Sequence, residues 1–490
     1  MLSEYLAAEM ALSAQGTLPL NRKLYEALRK AILEGKIGSG ERLPSSRELT
    51  HDLKLSRNTV VAALNQLVVE GYLQSRVGSG TYVHDALPRN LYRESAPSPS
   101  RNASDLSLRG MSLSGTYCSS ELEIQPFTPG PADFSAFPIA LWQRLQNKHW
   151  RMTYPEMLDY SYAGGHAPLR RAVSDYLRVF RSVPVDSDQV IITSGTQQSL
   201  ELCGQLLADH GETVWLEDPA YWGAVKSCIA TGLAIHPVGV DQHGMAPCEG
   251  DEANPPRLIY TTPSHQYPTG AVMSLVRRQH ILAIARAHNA WILEDDYDSE
   301  FRFTGPPLSS LAGLDKDERV LYMGSFSKVL YPGLKLGYLV VPRRLAGAFK
   351  QAHYDLNRPG QMPLQAALAE FIEMGHFASA LRRARLSYSQ RRLCLLQALQ
   401  PCLGPNAQIS GAEQGLHLCL RLPPDLDDKA LALRISAKGL TVRALSAYSL
   451  KRHDAKGLVI GYGYAPLSDI AHYGPLLATM ISQELSRYAR

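Results

Sequence analysis

The chain is poor in the features that mark several protein classes. Its seven cysteines, at positions 118, 203, 228, 248, 394, 402 and 419, are odd in number and form no C-x-x-C pair. That argues against a disulfide framework and against a cysteine zinc site, and favours a reducing, cytoplasmic setting. No uninterrupted apolar run approaches the roughly 18 residues of a membrane helix. The first residues, MLSEYLAAEMALSAQ, carry acids and no Lys or Arg, unlike a secretory signal. No membrane partner is expected, and the sequon at 102–104 is expected to be idle. Charge of one sign is also lacking: 50 Lys and Arg against 46 Asp and Glu leave +4, too little for a polybasic protein. Any nucleic acid must be held by a local patch.

At roughly 100–200 residues per domain, 490 residues predict two to four domains. Texture divides the chain into an N-terminal module over 17–84, a linker over 85–125 and a large domain over 126–490. The linker reads APSPSRNASD and SLRGMSLSG; Ser, Pro, Gly and Asn without apolar periodicity bury too little surface to offset the entropy of ordering. In the large domain, apolar runs QVIITSG, TVWLED, RLIYTTP, AWILEDDY, RVLYMGS and GYLVVP alternate with helical patterns, which predicts a largely parallel sheet buried on both faces.

Within the N-terminal module, Leu20, Leu24, Leu28 and Ile32 recur every four residues and predict an amphipathic helix ending before Gly35. A second helix starts at Ser45, where Glu48 stands at capping-box spacing. A third opens at Ser56, with Val60, Leu64, Leu67 and Val68 on its buried side and Arg57, Asn58 and Thr59 at its leading end. Glu70-Gly71 stops it, and residues 72–83, with Gly78-Ser79-Gly80 at the tip, read as a hairpin. Three helices and a hairpin make an α(+β) winged helix-turn-helix, a geometry that brings a helix N-terminus to base edges and a Gly-rich wing to the backbone of a duplex. A solvated helical interaction domain is the plainer alternative. The segment RLPSSRELTHDLKLSRNTVVAALNQLVVEGYLQSRVGSGTYV resembles the DNA-binding domain of the GntR family. That resemblance implies operator DNA as partner and Arg47, Ser56, Arg57, Asn58, Thr59, Gly78 and Ser79 as contacts.

Several motifs of the large domain point to one chemistry. Ser194-Gly195-Thr196-Gln197 joins a strand to a helix start, where free N–H groups and a hydroxyl suit an anion. Asp295-Asp296-Tyr297 ends a strand; a carboxylate there suits a protonated ring nitrogen, or else Asp295, Asp296, Asp298 and Glu300 form a solvated or metal-binding acidic loop. Ser325-Phe326-Ser327-Lys328 follows another strand, and a lysine crowded by cations such as Lys335 and partly desolvated would lose its proton.

In this order the motifs resemble fold type I pyridoxal 5'-phosphate (PLP) enzymes, the aspartate aminotransferase family, from about Phe127 to the C-terminus. The fold class implied is α/β with a large and a small subdomain, the small one over about 365–490. The resemblance implies PLP as cofactor, an internal aldimine on Lys328, Asp295 at the pyridinium nitrogen and Tyr297 at the 3'-oxygen. It places Thr196, Ser325, Ser327 and Lys335 on the phosphate with backbone help from Gly195 and Gln197, and Tyr221 over the ring. Tyr267 stands where the family's loop has Asn, leaving His265 or Gln266 to supply that hydrogen bond.

A GntR-type module joined by a linker to an aminotransferase-like domain resembles the MocR/GabR subfamily of bacterial regulators end to end, including SHQYPTG and EDDYDSEF. The implied function is a PLP-dependent transcription regulator sensing a small amine or amino-acid effector through an aldimine switch, acting as a homodimer with domains exchanged head to tail. The alternative is an active aminotransferase carrying a DNA-binding appendage. GABA-responsive relatives clamp a carboxylate with arginines where this chain has Trp222-Gly223 and Ser446-Ala447-Tyr448. Arg358, Arg443 and Arg452 are the nearest basic residues, so the effector is expected to be another amino acid, an amino sulfonate or PLP itself.

Overall fold

The structure, a computed structural model, describes residues 2–12, 18–76, 78–84, 105–115, 124–135, 137–160, 164–305, 308–403, 407–452 and 454–488. Most of the expected linker, the sequon and Cys118 lie outside them. The chain divides into two compact units, Met1–Asp105 and Leu106–Arg490.

In the first unit, α1 (Leu2–Leu12) precedes α2 (Leu20–Leu33), α3 (Ser46–Leu53), α4 (Arg57–Val69) and the antiparallel hairpin of β1 (Leu73–Arg76) and β2 (Gly80–Val83). The local chemistry explains these limits. Ser45 Oγ accepts from the Glu48 amide at 3.2 Å while Glu48 accepts from the Ser45 amide at 2.6 Å, closing the capping box of α3. Ser56 caps α4 through the Thr59 amide, also at 3.2 Å. After α4 the chain turns at Gly71, whose φ of 80° favours glycine. Leu24, Leu28, Val60, Leu64 and Leu67 form the core, with Val68 at its edge. Helix α1, which no sequence pattern singled out, adds Leu6 to that core with no exposed surface.

The second unit begins with α5 (Leu108–Ser114), a short helix inside the expected linker. Ser107 caps it, and Lys226 donates to the carbonyls of Ser112, Leu113 and Gly115 at its end. There follow α6 (Ile139–Arg151), α7 (Ala167–Phe180), β3 (Val190–Thr193), α8 (Thr196–Leu207), β4 (Thr213–Asp218), α9 (Trp222–Thr231), β5 (Ala234–Asp241), β6 (Gly244–Met245) and β7 (Leu258–Thr261). Helix α10 (Leu275–Ala287), β8 (Trp291–Asp296), α11 (Leu311–Leu314), β9 (Val320–Ser325) and β10 (Gly337–Val340) complete the sheet region. The sheet order is β3-β10-β9-β8-β7-β4-β5-β6. Neighbours from β9 through β5 pair in parallel; β10 runs antiparallel to both β3 and β9, so β3 and β9 point the same way. The expectation of a largely parallel, doubly buried sheet holds: β3, β7 and β8 are buried along their whole length.

Beyond it, α12 (Ala346–Asn357), α13 (Met362–Glu373) and the long α14 (His376–Leu399) lead to a second, antiparallel sheet, β11-β12-β14-β13. Its strands are β11 (Gln408–Ser410), β12 (His417–Arg421), β13 (Arg443–Ala444) and β14 (Gly457–Gly461), with α15 (Asp428–Ser436) and α16 (Leu467–Tyr488). No helix among the described residues is long and apolar enough to cross a membrane.

Because Leu6 is wholly enclosed, Leu6→Ala should cost the N-terminal unit about 2–4 kcal/mol in denaturant unfolding. An unchanged midpoint would show that α1 does not belong to this core.

Candidate functional site

The C-terminal ends of β3, β4, β7, β8 and β9 share one edge of the large sheet, the edge where open α/β sheets place ligands. A cavity of about 350 Å³ opens there. All ten residues expected to surround the cofactor line it: Gly195, Thr196, Gln197, Tyr221, Asp295, Tyr297, Ser325, Ser327, Lys328 and Lys335.

Each arrives for a local reason. Gly195 is the N-terminal boundary residue of α8 at φ 106°, with nothing within 4 Å of where a Cβ would stand. The first amides of α8 therefore open toward the cavity at the positive end of the helix. Gln197 is held by Ser227 at 2.7 Å and approaches the Tyr221 hydroxyl at 3.4 Å. Beyond β9, the Ser325 hydroxyl accepts from the Ser327 amide at 3.1 Å, tightening the turn that presents Lys328.

Asp295 sits fully buried at the end of β8. Its Oδ2 accepts from the Tyr260 hydroxyl at 2.8 Å, while Oδ1 is buried with no hydrogen-bond partner among the described residues. Burial pushes its carboxyl up to about 7; Asp296, Asp298 and Glu217 push the same way, and the Tyr260 hydrogen bond opposes them. Lys328 donates to the Gly130 carbonyl at 2.6 Å. Burial holds its ammonium below the usual lysine range, while Asp298 and Asp295 pull it back up. Of the two causes the sequence suggested, desolvation is the one that lowers it; the charges acting on it are acids rather than cations.

The acidic run does not gather as one metal site. Asp296 pairs with Arg181 at 2.6 Å and accepts from Tyr322, Asp298 meets His265 at 2.8 Å, and Glu300 accepts from Tyr176 at 3.1 Å. Among the described residues, the cluster that could offer three metal ligands is His265, Asp298 and His417. His265 Nδ1 meets Asp298 and, at 3.2 Å, the Tyr297 hydroxyl, and His417 lies 3.2 Å from the Pro268 carbonyl, while His265 Nε2 and Asp298 Oδ1 are buried without a hydrogen-bond partner among the described residues.

Sequence reasoning passed over Tyr260, Gly130 and His417, which also line the cavity; no motif links them because they come from distant stretches of chain. Of the two substitutes considered for the altered loop, Gln266 is spent on Glu217 and on the carbonyls of Pro219 and Tyr267, whereas His265 contacts the Tyr297 hydroxyl. Tyr267 bonds Tyr448 at 2.9 Å. Arg358, Arg443 and Arg452 do not line the cavity: Arg358 lies over Tyr354, Arg443 over Trp222, and Arg452 is paired with Asp454.

In the N-terminal unit, Arg47, Ser56, Arg57, Asn58, Gly78 and Ser79 are exposed and Thr59 is half-buried. Ser56 and Thr59 are partly occupied with each other, their hydroxyls 2.8 Å apart, while Ser79 meets the Tyr82 hydroxyl at 2.7 Å. The sequence reading missed Arg42, which pairs with Tyr82 in an isolated bridge and lies against Gly80, and Arg76, stacked over Tyr82. Both add positive charge to the hairpin.

Comparison with known proteins gives two family matches. "Aminotransferase class I and II" covers residues 139–455 and "Bacterial regulatory proteins, gntR family" covers residues 20–83. The probable rhizopine catabolism regulatory protein MocR of Rhizobium meliloti is 37% identical over 92% of each chain. The pyridoxine biosynthesis transcriptional regulator PdxR of Corynebacterium glutamicum is 31% identical over 93% of this chain and 94% of its own. Among solved structures, the α-aminoadipate aminotransferase LysN of Thermus thermophilus, complexed with N-(5'-phosphopyridoxyl)-L-leucine, superposes with a TM-score of 0.69 at 25% identity. That match covers 78% of this chain and 98% of LysN.

The buried carboxyl sets a pH dependence in the cofactor-free chain. The unfolded Asp295 loses its proton near pH 4 and the folded one near 7, so in that window the folded state holds the extra proton and stability falls as pH rises. Asp295→Asn should therefore be more stable than the parent at pH 8.5, on the order of 2–4 kcal/mol, with the gap closing below pH 4. A gap in urea unfolding that is the same at both pH values would contradict this.

Proposed function

The chain belongs to the MocR-type branch of the GntR family of bacterial regulators, and from that premise we propose that it is a transcription regulator that binds PLP in the large cavity, senses a small amine or amino acid there, and reads operator DNA through its N-terminal module. The proposal assigns residues 17–84 to DNA, 85–125 to the linker and 126–490 to the sensor. The protein acts in the cytoplasm as a homodimer with domains exchanged head to tail.

The observation that carries the reading is the unpartnered, buried Asp295 Oδ1 sharing a cavity with a desolvated lysine. A protonated ring nitrogen would satisfy that oxygen and lower the carboxyl's affinity for its own proton. When bound, PLP supplies an aldehyde that takes up primary amines. Lys328 serves it as an amine whose hold on its proton is weakened by burial, able to yield its place to an effector amine and to take up a proton at Nζ. Tyr297 presents its hydroxyl to the ring oxygen, with His265 and Asp298 fixing that hydroxyl. Thr196, Ser325, Ser327 and Lys335, with the amides following Gly195, hold the phosphate at the start of α8. Tyr221 covers the ring face.

An effector amine that took the place of Lys328 would alter the contacts across the cavity, and closure of the C-terminal subdomain would transmit that change. A coupling of about 1–3 kcal/mol suffices to shift operator affinity roughly five- to 150-fold. In the DNA module, Arg57 and Asn58 lead α4 into the major groove, Arg47 meets phosphate, and Gly78-Ser79 bring the wing to the backbone.

Lys328→Ala should lose the visible absorbance of the bound cofactor and the effect of amines on operator affinity, while still binding DNA. Arg57→Ala should leave the absorbance intact and weaken operator binding by about 1–3 kcal/mol. Retained absorbance in the first variant, or steady transamination of an amino donor and a keto acid by the parent, would replace this reading with another.

A further inference from the structure

The stretch after β8 faces two ways. Asp295, Tyr297 and Asp298 look into the large cavity, whereas Ser299, Glu300 and Arg302 line a second pocket of about 220 Å³ that shares no wall residue with the first. Its volume is several times the roughly 30 Å³ that a water molecule occupies in the liquid. The remaining walls include Arg181 just beyond α7, Arg385 of α14 and Gln414.

Three guanidinium groups meet there and their partners are unequal. Arg181 is neutralised by Asp296 at 2.6 Å and bonds Ser264 at 2.9 Å. Arg302 donates to the neutral Gln414 side chain at 2.8 Å, and its Nε is buried without a partner. Arg385 donates to the backbone carbonyl of Glu300. Neither Arg302 nor Arg385 meets a carboxylate in an ion pair among the described residues. The Ser299 hydroxyl is likewise buried and unpaired. Glu300, the acid in the wall, accepts from Tyr176, and burial raises its affinity for a proton, weakening its hold on the arginines. Two guanidinium groups without a carboxylate partner and an idle hydroxyl around one partly open pocket make a recognition set for an oxyanion.

We propose that this pocket is a second ligand site, for a small metabolite bearing a carboxylate or phosphate, distinct from the amine site. Its place in the fold gives it leverage. Arg302 bridges to Gln414, the Phe303 amide donates to Glu413, and the Gly415 amide donates to Phe301, so the stretch after β8 is laced to the segment that leads into β12. An anion held jointly by Arg302 and Arg385 tightens that lacing from a pocket separate from the one that Asp295 and Tyr297 line. The anion site stands without the amine-sensing reading; only its influence on the large cavity rests on it.

The test uses the full chain loaded with PLP, so that phosphate cannot enter the large cavity. Calorimetric titration with succinate in one arm and inorganic phosphate in the other should give saturable binding of at least one probe, and the arm that binds identifies the anion. Arg302→Gln and Arg385→Gln should each weaken it at least tenfold, whereas Arg383→Gln on the same helix as Arg385 should not. Hydrogen exchange should slow at 299–303 and 412–415 on addition of the binding probe. Absence of saturable binding by both probes would overturn the proposal, and so would binding undiminished in both pocket variants. Because Arg385 is exposed, its variant tests the pocket even if Arg302→Gln fails to fold. Loss of amine sensing with anion binding intact would instead count against the amine site alone.

Discussion

Desolvation of one acid and one amine at the edge of the large sheet is the constraint around which the candidate site is built. In water Asp295 would be ionised and Lys328 protonated at neutral pH. Burial pushes both toward their uncharged forms, raising the carboxyl and lowering the ammonium. Two ionisable groups that are each pushed toward their uncharged forms, within one cavity, form a site prepared for a ligand that brings charge of its own. Tyr260 and Gly130 supply one hydrogen bond apiece, orienting the two groups, and Asp295 Oδ1 is left without a partner among the described residues.

The sheet makes this possible through direction rather than through sequence proximity. Since β3 and β9 both run opposite to β10, the turns after β3, β8 and β9 all emerge at one edge. A helix start, an acid and a lysine separated by more than a hundred residues thus meet in 350 Å³. The same economy appears after β8, where side chains of one short turn line two separate cavities. In the N-terminal unit the equivalent economy is in capping: Ser45, Glu48 and Ser56 end helices with hydroxyls and a carboxylate close to the residues assigned to DNA.

What was legible in the sequence depended on locality. Six apolar runs became six strands because a strand buried on both faces needs no alternation and stands out as a block. β5 was not singled out: most of its residues are only partly covered, and it carries His236 and Pro237. Ser45, Glu48, Ser56 and Gly71 were readable because a cap is satisfied within a few residues. α1 lacks such a signal, and its inclusion in the core turns on Leu6 meeting helices that fold from later chain. Lys328, Asp295 and Tyr297 were found through short motifs. The sign of the charges around Lys328 was misread, since Asp298 and Asp295 approach it only through the sheet. Tyr260, His417 and the pocket of Arg302 and Arg385 were invisible for the same reason.

The most direct measurement of the central claim is reduction of the PLP-loaded chain with borohydride, followed by peptide mapping of the fixed pyridoxyl group. The account predicts one labelled peptide, carrying the group on Lys328, with labelling lost in the presence of an excess of effector amine. Label spread over surface lysines, or none at position 328, would contradict it.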